Sequence, residues 1–318
     1  MSGWSFSLHE APAPGVAVEI AADHVAAASL GTRGGEPVIS AHATEVLAEA
    51  ALVPSLTAQN VRDRALVEAA LGRVLDRVGR PHRVALVVPD PVAKVSLIRF
   101  AHVPPRAQDL DQLVRWQVRK TAPFPIEDAQ VSFFEGADTP DGREFIVSLA
   151  RRDVVREYEE LAAAAGAHAG IVDMSTFNVI NAVLASATPA VADWLLVNVA
   201  SDYTSVAILR GPQLIFFRSR SADAEGTLAD LVHQTAMYYE DRLSGGGFER
   251  VLLGGAATAG ARQTADVEQI RRNLQERLGR PVETVAARMH VAVSDRVTTG
   301  ATLMDTLAPL LGILRRGR

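Results

Sequence analysis

The sequence predicts an α/β protein made of two halves built alike. Three observations carry this. Strand-length apolar runs alternate along the chain with segments whose apolar residues recur at helical spacing. The stretch Val16–Leu30 lies without gaps on Leu195–Leu209, at an offset of 179 residues that sets Glu19 on Asn198. That overlay pairs identical residues at Val18/Val197, Ala21/Ala200, Asp23/Asp202, Ala28/Ala207 and Leu30/Leu209. The length, 318 residues, is that of about two domains. Chance can pair valines and alanines in so apolar a chain. Each copy is also followed by a glycine-containing turn and a third strand, and a long-period repeat points to one architecture used twice.

After Pro12 and Pro14, Val16–Ile20 and Val25–Leu30 read as strands, and Gly31–Pro37 as a turn before a third strand at Val38 and Ile39. Val67, Leu71, Val74, Leu75 and Val78 mark a helix over Leu66–Arg80, stopped by Gly79 and Pro81. Val84–Val88 is an apolar strand, Pro89-Asp90-Pro91 a turn, and Val95–Phe100 a further strand. Asp109–Lys120 is an amphipathic helix with Leu110, Leu113, Val114 and Val118 on one side, stopped by Pro123 and Pro125. Val131–Glu135 and Glu144–Ala150 pair across the turn Asp138–Gly142, and helices follow at Arg152–Gly166 and Ser175–Ala187.

The second half opens as the first does. Strands at Leu195–Val199, Thr204–Leu209 and Leu214–Arg218 precede helices at Glu225–Leu243 and Asp266–Leu278. Between these helices lie a glycine-rich break, Ser244–Gly247, and a strand, Val251–Leu253, that runs into Gly254-Gly255. A last helix spans about Leu303–Leu314, before the basic end Arg315-Arg316-Gly317-Arg318.

Composition narrows the function classes. The absence of cysteine excludes a disulfide framework, a cysteine nucleophile and cysteine-ligated metal. Lys+Arg 32 against Asp+Glu 37 gives a net charge of −5, and aromatics are 5%, so no nucleic-acid partner is expected. The apolar runs are far shorter than the roughly 20 residues that cross a bilayer, and the N-terminus lacks the pattern of a signal peptide. The expectation is a cytoplasmic protein without direct membrane insertion, reaching a membrane only through a partner. The 8 histidines show no metal-binding spacing, and there is no P-loop and no G-x-S-x-G. Gly245-Gly246-Gly247 is a connector, because no Lys or Ser/Thr follows at P-loop spacing. Trp116 has two readings, a core residue of its helix or a wall of a groove for a partner peptide. The basic end reads as a solvated tail.

Two hairpins facing each other across a cleft can hold a nucleotide triphosphate. Their tips present backbone N–H groups to phosphate, and a carboxylate at a strand end can hold Mg²⁺. Several stretches then match one family in order. They are Leu97–Pro105; the helix with Trp116-Gln117; Ala122-Pro-Phe-Pro-Ile126; Asp193–Arg218, ending Phe-Phe-Arg; the helix with Tyr238-Tyr239; Val251–Ala256; and Ala308–Arg315. In these the chain resembles the PilM-type proteins of type IV pilus assembly, within the actin-like ATPase superfamily.

The resemblance implies an actin-like, ribonuclease-H-like duplicated fold of two lobes with an inserted small subdomain. Its expected boundaries are 1–190 for the first lobe, with the insert at about 82–150; 191–300 for the second lobe; and 301–318 for a C-terminal helix returning to the first. It implies ATP and Mg²⁺ as cofactors, held by Glu19, Ala21, Ala22 and Asp23 of the first hairpin. Asn198, Ala200, Ser201 and Thr204 would serve from the second hairpin and Gly254 and Gly255 at the adenosine, with Glu19 as the metal residue. It also implies a partner, the cytoplasmic N-terminal tail of a PilN-type inner-membrane protein, received jointly by the insert and the first lobe. Val95–Phe100 and Asp109–Lys120 are the candidate surfaces, with other pilus platform or motor proteins as further partners.

The family pattern at both tips is Asp-Ile-Gly. Here Glu19 and Asn198 stand for the aspartates and Ala21 and Ala200 for the glycines. A methyl obstructs phosphate and disfavours positive φ, and Asp23 and Asp202 add like charge where phosphates would lie. These departures predict a degenerate cleft, with ATP binding weak or lost, in a scaffold that is not an enzyme. The competing reading keeps Glu19 on Mg²⁺ with Ser201 and Thr204 donating to phosphate, as an active ATPase or a sugar-kinase-like phosphotransferase. A third reading is a type II secretion or cell-division actin homologue.

Overall fold

The apolar alternation at the start of the chain folds as two successive hairpins in a computed structural model that describes residues 14–34, 36–186, 192–256, 267–289, 292–293 and 301–315. Strands β1 (Val16–Ile20), β2 (His24–Arg33) and β3 (Glu36–Val46) pair antiparallel. The expected turn Gly31–Pro37 shrinks, because β2 continues to Arg33 and β3 starts at Glu36. Gly34, at φ 63°, lies between them, in the left-handed region that glycine enters without strain.

Helix α1 (Arg64–Arg77) starts where the Asp63 side chain accepts from the Leu66 N–H. It covers one face of this sheet with Val67, Ala70, Leu71, Val74 and Leu75. β4 (Arg83–Val88) then pairs parallel with β1. The expected insert boundary at about 82 would exclude this strand from the first sheet, yet β4 lies inside it. The separate three-stranded sheet begins only at β5 (Ala93–Phe100) and adds β6 (Ala129–Thr139) and β7 (Gly142–Arg151), in the order β5-β7-β6. Helix α2 (Ala107–Arg119) packs on it with Val114 and Val118 buried.

Helix α3 (Arg152–Ala164) returns the chain to the first lobe, and β8 (His168–Met174) adds a strand parallel to β4. Sequence reading missed β8, since Gly170 and Asp173 break its apolar run. Helix α4 (Ser175–Ser186) crosses to the second half. There β9 (Asp193–Val199), β10 (Tyr203–Arg210) and β11 (Gln213–Ser221) repeat the opening. Helix α5 (Leu228–Leu243), capped by a Thr227/Asp230 box, β12 (Arg250–Gly254), α6 (Val267–Leu278) and the short β13 (Val282–Thr284) follow. Helix α7 (Val285–Arg288), β14 (Ala292–Val293) and α8 (Ala301–Arg315) complete the described chain.

The first sheet runs β14-β3-β2-β1-β4-β8 and the second β11-β10-β9-β12-β13, so β14, from the expected second lobe, closes the edge of the first. Helices α4 and α8 fill the space between the sheets in one apolar cluster that contains Ala28, Val87, Leu196 and Leu252. Helices α1 and α3 cover the outer face of the first sheet, and α5 and α6 that of the second. The result is alternating helix and sheet layers. Among the described residues no helix is long and apolar enough to cross a membrane. The basic end beyond Arg315, the expected helix limits Ala187 and Asp266, and the N-terminal residues up to 13 lie outside the described residues.

Candidate functional site

The two hairpin tips superpose in register as well as in sequence. Glu19 pairs with Ala26 and Val18 with Ala27; 179 residues on, Asn198 pairs with Ser205 and Val197 with Val206. In each turn the amide of the alanine donates to the chain three residues ahead, Ala21 N–H to His24 O and Ala200 N–H to Tyr203 O, both at 2.9 Å. In each, the next strand's exit is tied back, Leu47 N–H to Asp23 O and Ala222 N–H to Asp202 O, both at 2.8 Å. Neither Ala21, Ala22 nor Ala200 adopts a positive φ. Backbone strain therefore plays no part in the departure from glycine.

The tips do face a common gap. Glu19, Ala21, Asp23, Asn198, Ala200, Ser201 and Gly255 line a cavity of about 40 Å³ between the lobes, together with His24, Ser175 and Asp305. Three expected site residues lie elsewhere. Ala22 lines a separate cavity of about 1110 Å³, with Ser201, Asp202 and, from the candidate strand Val95–Phe100, Val95. Thr204 is engaged in β10, opposite Val199 and Arg220. Gly254 is needed by packing, because a Cβ there would stand 3.1 Å from Val285 Cγ2 and 3.3 Å from Asn198 Oδ1. Gly255, at φ 71°, would put a Cβ 2.3 Å from Val199 O, and its N–H donates to Asp305 Oδ1 at 2.9 Å. The glycine pair is thus explained by the protein's own contacts.

Several polar groups of the gap partner one another, while His24 Nε2 is buried without a hydrogen bond. Glu19 is buried; Oε1 accepts from Ser175 Oγ at 2.8 Å, and Oε2 lies 3.7 Å from His24 Nε2. His24 Nδ1 meets Asp23 Oδ1 at 2.8 Å. Burial opposes charge on the imidazole, but Asp23 and Glu19 outweigh it and carry the His24 pKa up to about 10. The ring is therefore a cation at neutral pH, set between two carboxylates.

Deeper in, Asp90 follows β4 and is fully buried. It accepts from the Thr176 N–H at 3.0 Å and from the hydroxyls of Thr176 and Ser205. Asn198 Nδ2 donates to Thr176 Oγ1 at 2.8 Å. One carboxylate thus joins the first sheet, the start of α4 and the second sheet. Burial lifts its pKa to about 6 against those three hydrogen bonds, and the nearby Glu19 charge adds to the rise. Asp202 rises to about 6 as well, chiefly by burial, with Asp23 and Asp90 repelling its charge. Asp90, Thr176 and Ser205 escaped sequence reasoning, although an aspartate between two prolines at the end of an apolar strand was a usable signal.

A second region is open, with a largely apolar floor and a polar rim that includes Glu159 and Asp173. A groove of about 830 Å³ runs between the insert sheet, α3, the end of β8, α4 and the β10–β11 turn. Gln130, Ser132 and Phe134 alternate along its β6 wall. Phe177, Ile180, Asn181 and Leu184 of α4 form its floor at helical spacing, and Leu209 and Leu214 belong to the second lobe. Arg152 and Arg156 stand on its α3 side. Phe134 is 49% exposed. Neither Val95–Phe100 nor the helix Asp109–Lys120 lines this groove. The core reading of Trp116 is also corrected: it is 57% exposed, with Lys120 Nζ 4.4 Å from its ring centroid. Its helix instead buries Val114 and Val118. Trp116 borders a shallow cavity of about 340 Å³ with Arg115, Arg119 and Arg152.

Comparison with known proteins places this geometry. The family model of the type IV pilus assembly protein PilM matches residues 17–243, more than two thirds of the chain and including both hairpins and the insert. No curated protein matches the sequence. The solved PilM-PilN type IV pilus biogenesis complex contains a chain with the same fold, at a TM-score of 0.75 and 16% identity, covering 95% of this chain and 96% of that one. A Bacteroides thetaiotaomicron protein with an actin-like ATPase fold and unknown function matches at a TM-score of 0.50 and 10% identity, over 86% and 91% of the two chains. This chain belongs to the PilM family of type IV pilus assembly proteins and has the actin-like ATPase fold.

Proposed function

We propose that this protein is a docking scaffold of a type IV pilus assembly platform, and that its groove receives the cytoplasmic tail of a PilN-type membrane protein. The observation that carries the reading is the open groove between the insert, the first lobe and the β10–β11 turn of the second, with its apolar floor. Its volume, about 830 Å³, lies within the range of roughly 300–1,000 Å³ that pockets for small ligands occupy, enough for several side chains of an extended peptide. Half-exposed Phe134, half-buried Phe177 and the flanking Arg152 and Arg156 supply apolar anchors with a polar rim. The tail would bring the protein to the cytoplasmic face of the inner membrane, where other platform and motor proteins could meet it.

The residues of the cleft do not fit ATP and Mg²⁺. Glu19 is engaged by Ser175 and faces a protonated His24, so a cation already stands where a metal would. Among the described residues no set of three or more His, Asp or Glu side chains is placed to hold a metal ion. The amides of Ala21, Ala200 and Gly255 already have acceptors, and the cavity between the tips is about 40 Å³. The reading is a degenerate cleft on a scaffold.

Calorimetric titration tests the docking. A synthetic peptide of the PilN-type tail from the same organism binds the wild-type chain, and Phe134→Ser weakens it at least tenfold while the far-UV spectrum is unchanged. Absence of heat with the folded wild type, or equal affinity in the variant, overturns the reading. Titration with Mg²⁺-ATP tests the cleft: no binding is expected, and turnover abolished by Glu19→Ala would restore the ATPase alternative.

A further inference from the structure

We propose that the first turn of α4 couples the interlobe cleft to the groove, so that the Asp90–Thr176–Ser205 lock presets the surface on which a partner docks. The inference rests on the docking reading of the groove and extends it to what controls that site.

The juxtaposition is between two neighbouring residues. Thr176 belongs to the lock: its N–H and hydroxyl both meet the Asp90 carboxylate, and its oxygen accepts from Asn198. Phe177 belongs to the groove floor. Its ring stands edge-on to Phe134 of the insert, at 6.2 Å between centroids and 82°, and to Phe217 of the second lobe, at 5.3 Å and 68°. One turn of helix thus carries a polar clamp between the lobes and an aromatic clamp between the same lobes and the insert. The residues behind Phe177 on the same face, Ile180, Asn181 and Leu184, extend the floor.

Helix α4 is held both at its start and along its back. Its back packs on α8 so closely that a Cβ on Gly312 would lie 1.7 Å from Asn178 O. Asn178 Nδ2 also donates to Met174 O at 2.8 Å, and Ser175 Oγ to Glu19, which fixes the start of the helix a second time. The anionic Asp90 carboxylate at its first turn is favoured by the helix dipole. Ser205 reaches Asp90 from the second sheet, so the lobe that supplies Leu209 and Leu214 to the groove is held by the same carboxylate. Release of that hydrogen bond frees the second-lobe wall and the floor together. Linkage makes the effect reciprocal: an occupant of the groove that needs the closed arrangement stabilises the lock by as much as the lock favours the occupant.

The test uses Ser205→Ala and Asp90→Asn in the full chain, with the tail peptide as probe and hydrogen exchange over 175–184 as a second readout. Neither residue lines the groove. The tail is expected to bind both variants about tenfold more weakly than wild type, with faster exchange across Phe177–Leu184. Leu274→Ala, buried behind the second sheet away from α4, is the control for general loss of stability and leaves tail affinity unchanged. Equal affinity and equal exchange in the two lock variants overturn the coupling. So does an equal loss of affinity in Leu274→Ala. If the wild type fails to bind the tail, the docking reading falls, and exchange still decides the lock: acceleration over 177–184 in both variants upholds it, and unchanged exchange overturns it.

Discussion

The cleft and the groove lie on opposite sides of α4 and solve opposite problems. In the cleft, Glu19, His24, Asp90, Thr176, Asn198 and Ser205 turn their charge and hydrogen-bonding capacity on one another. A ligand entering there would compete with these contacts. In the groove, Phe134 and its neighbours leave apolar surface in water, where burial yields roughly 25 cal/mol per Å². Polar residues packed inward therefore stabilise the molecule, whereas the apolar face left bare is the part with free energy still to gain. Change in the cleft should register first in stability, and change in the groove chiefly in binding.

The contrast can be broken or sharpened in steps. The largest effect falls on the helix that both regions share: Gly312→Val drives a side chain into the Asn178 backbone and should cost about 3 kcal/mol or more in urea unfolding. Asp90→Ala strips three donors of their acceptor and should cost about 2 kcal/mol. A variant as stable as wild type would show that the cleft is not a stability element. His24 gives a pH signature. Its folded pKa, about 10, lies above the ordinary 6.5, so its contribution is complete below about pH 6.5 and is lost as pH rises toward 10. Denaturant midpoints should fall across that window in wild type more steeply than in His24→Gln. Smallest for stability is Phe134→Ser, which gives up the edge-to-face contact with Phe177 and should cost about 1 kcal/mol alongside its loss of tail binding.

Much of the architecture was open to reading because it rests on local pattern. The 179-residue offset survives in the structure as identical strand register at Glu19/Ala26 and Asn198/Ser205. The amphipathic helix at 109–120 needed only its spacing of Leu and Val. What escaped depended on contacts distant in sequence. Asp90 looks like a turn residue until Ser205, on another sheet, is brought to it. The groove is assembled from the insert, α3, β8, α4 and the β10–β11 turn, and no one of those segments announces it. Trp116 could not be placed by periodicity, since the helix turns its smaller valines inward and leaves the indole out. The strand β8 was missed because Gly170 and Asp173 interrupt its apolar residues, and β13 because it has only three residues, each pairing with a neighbouring strand.

Helix α8 lies against β1, β2 and β4, near the beginning of the chain, and against α4. Its residues Leu307, Leu310, Leu311 and Leu314 complete the apolar layer over the inner face of the first sheet. During synthesis that layer, to which α4 contributes earlier, stays incomplete until residues 301–315 leave the ribosome, after the strands of the second lobe have been made. A stop codon shortly before 301 should therefore yield a chain with a partly uncovered β-sheet, prone to aggregate or be degraded. Packing of the first sheet's inner face thus waits on a segment made after the strands of the second lobe.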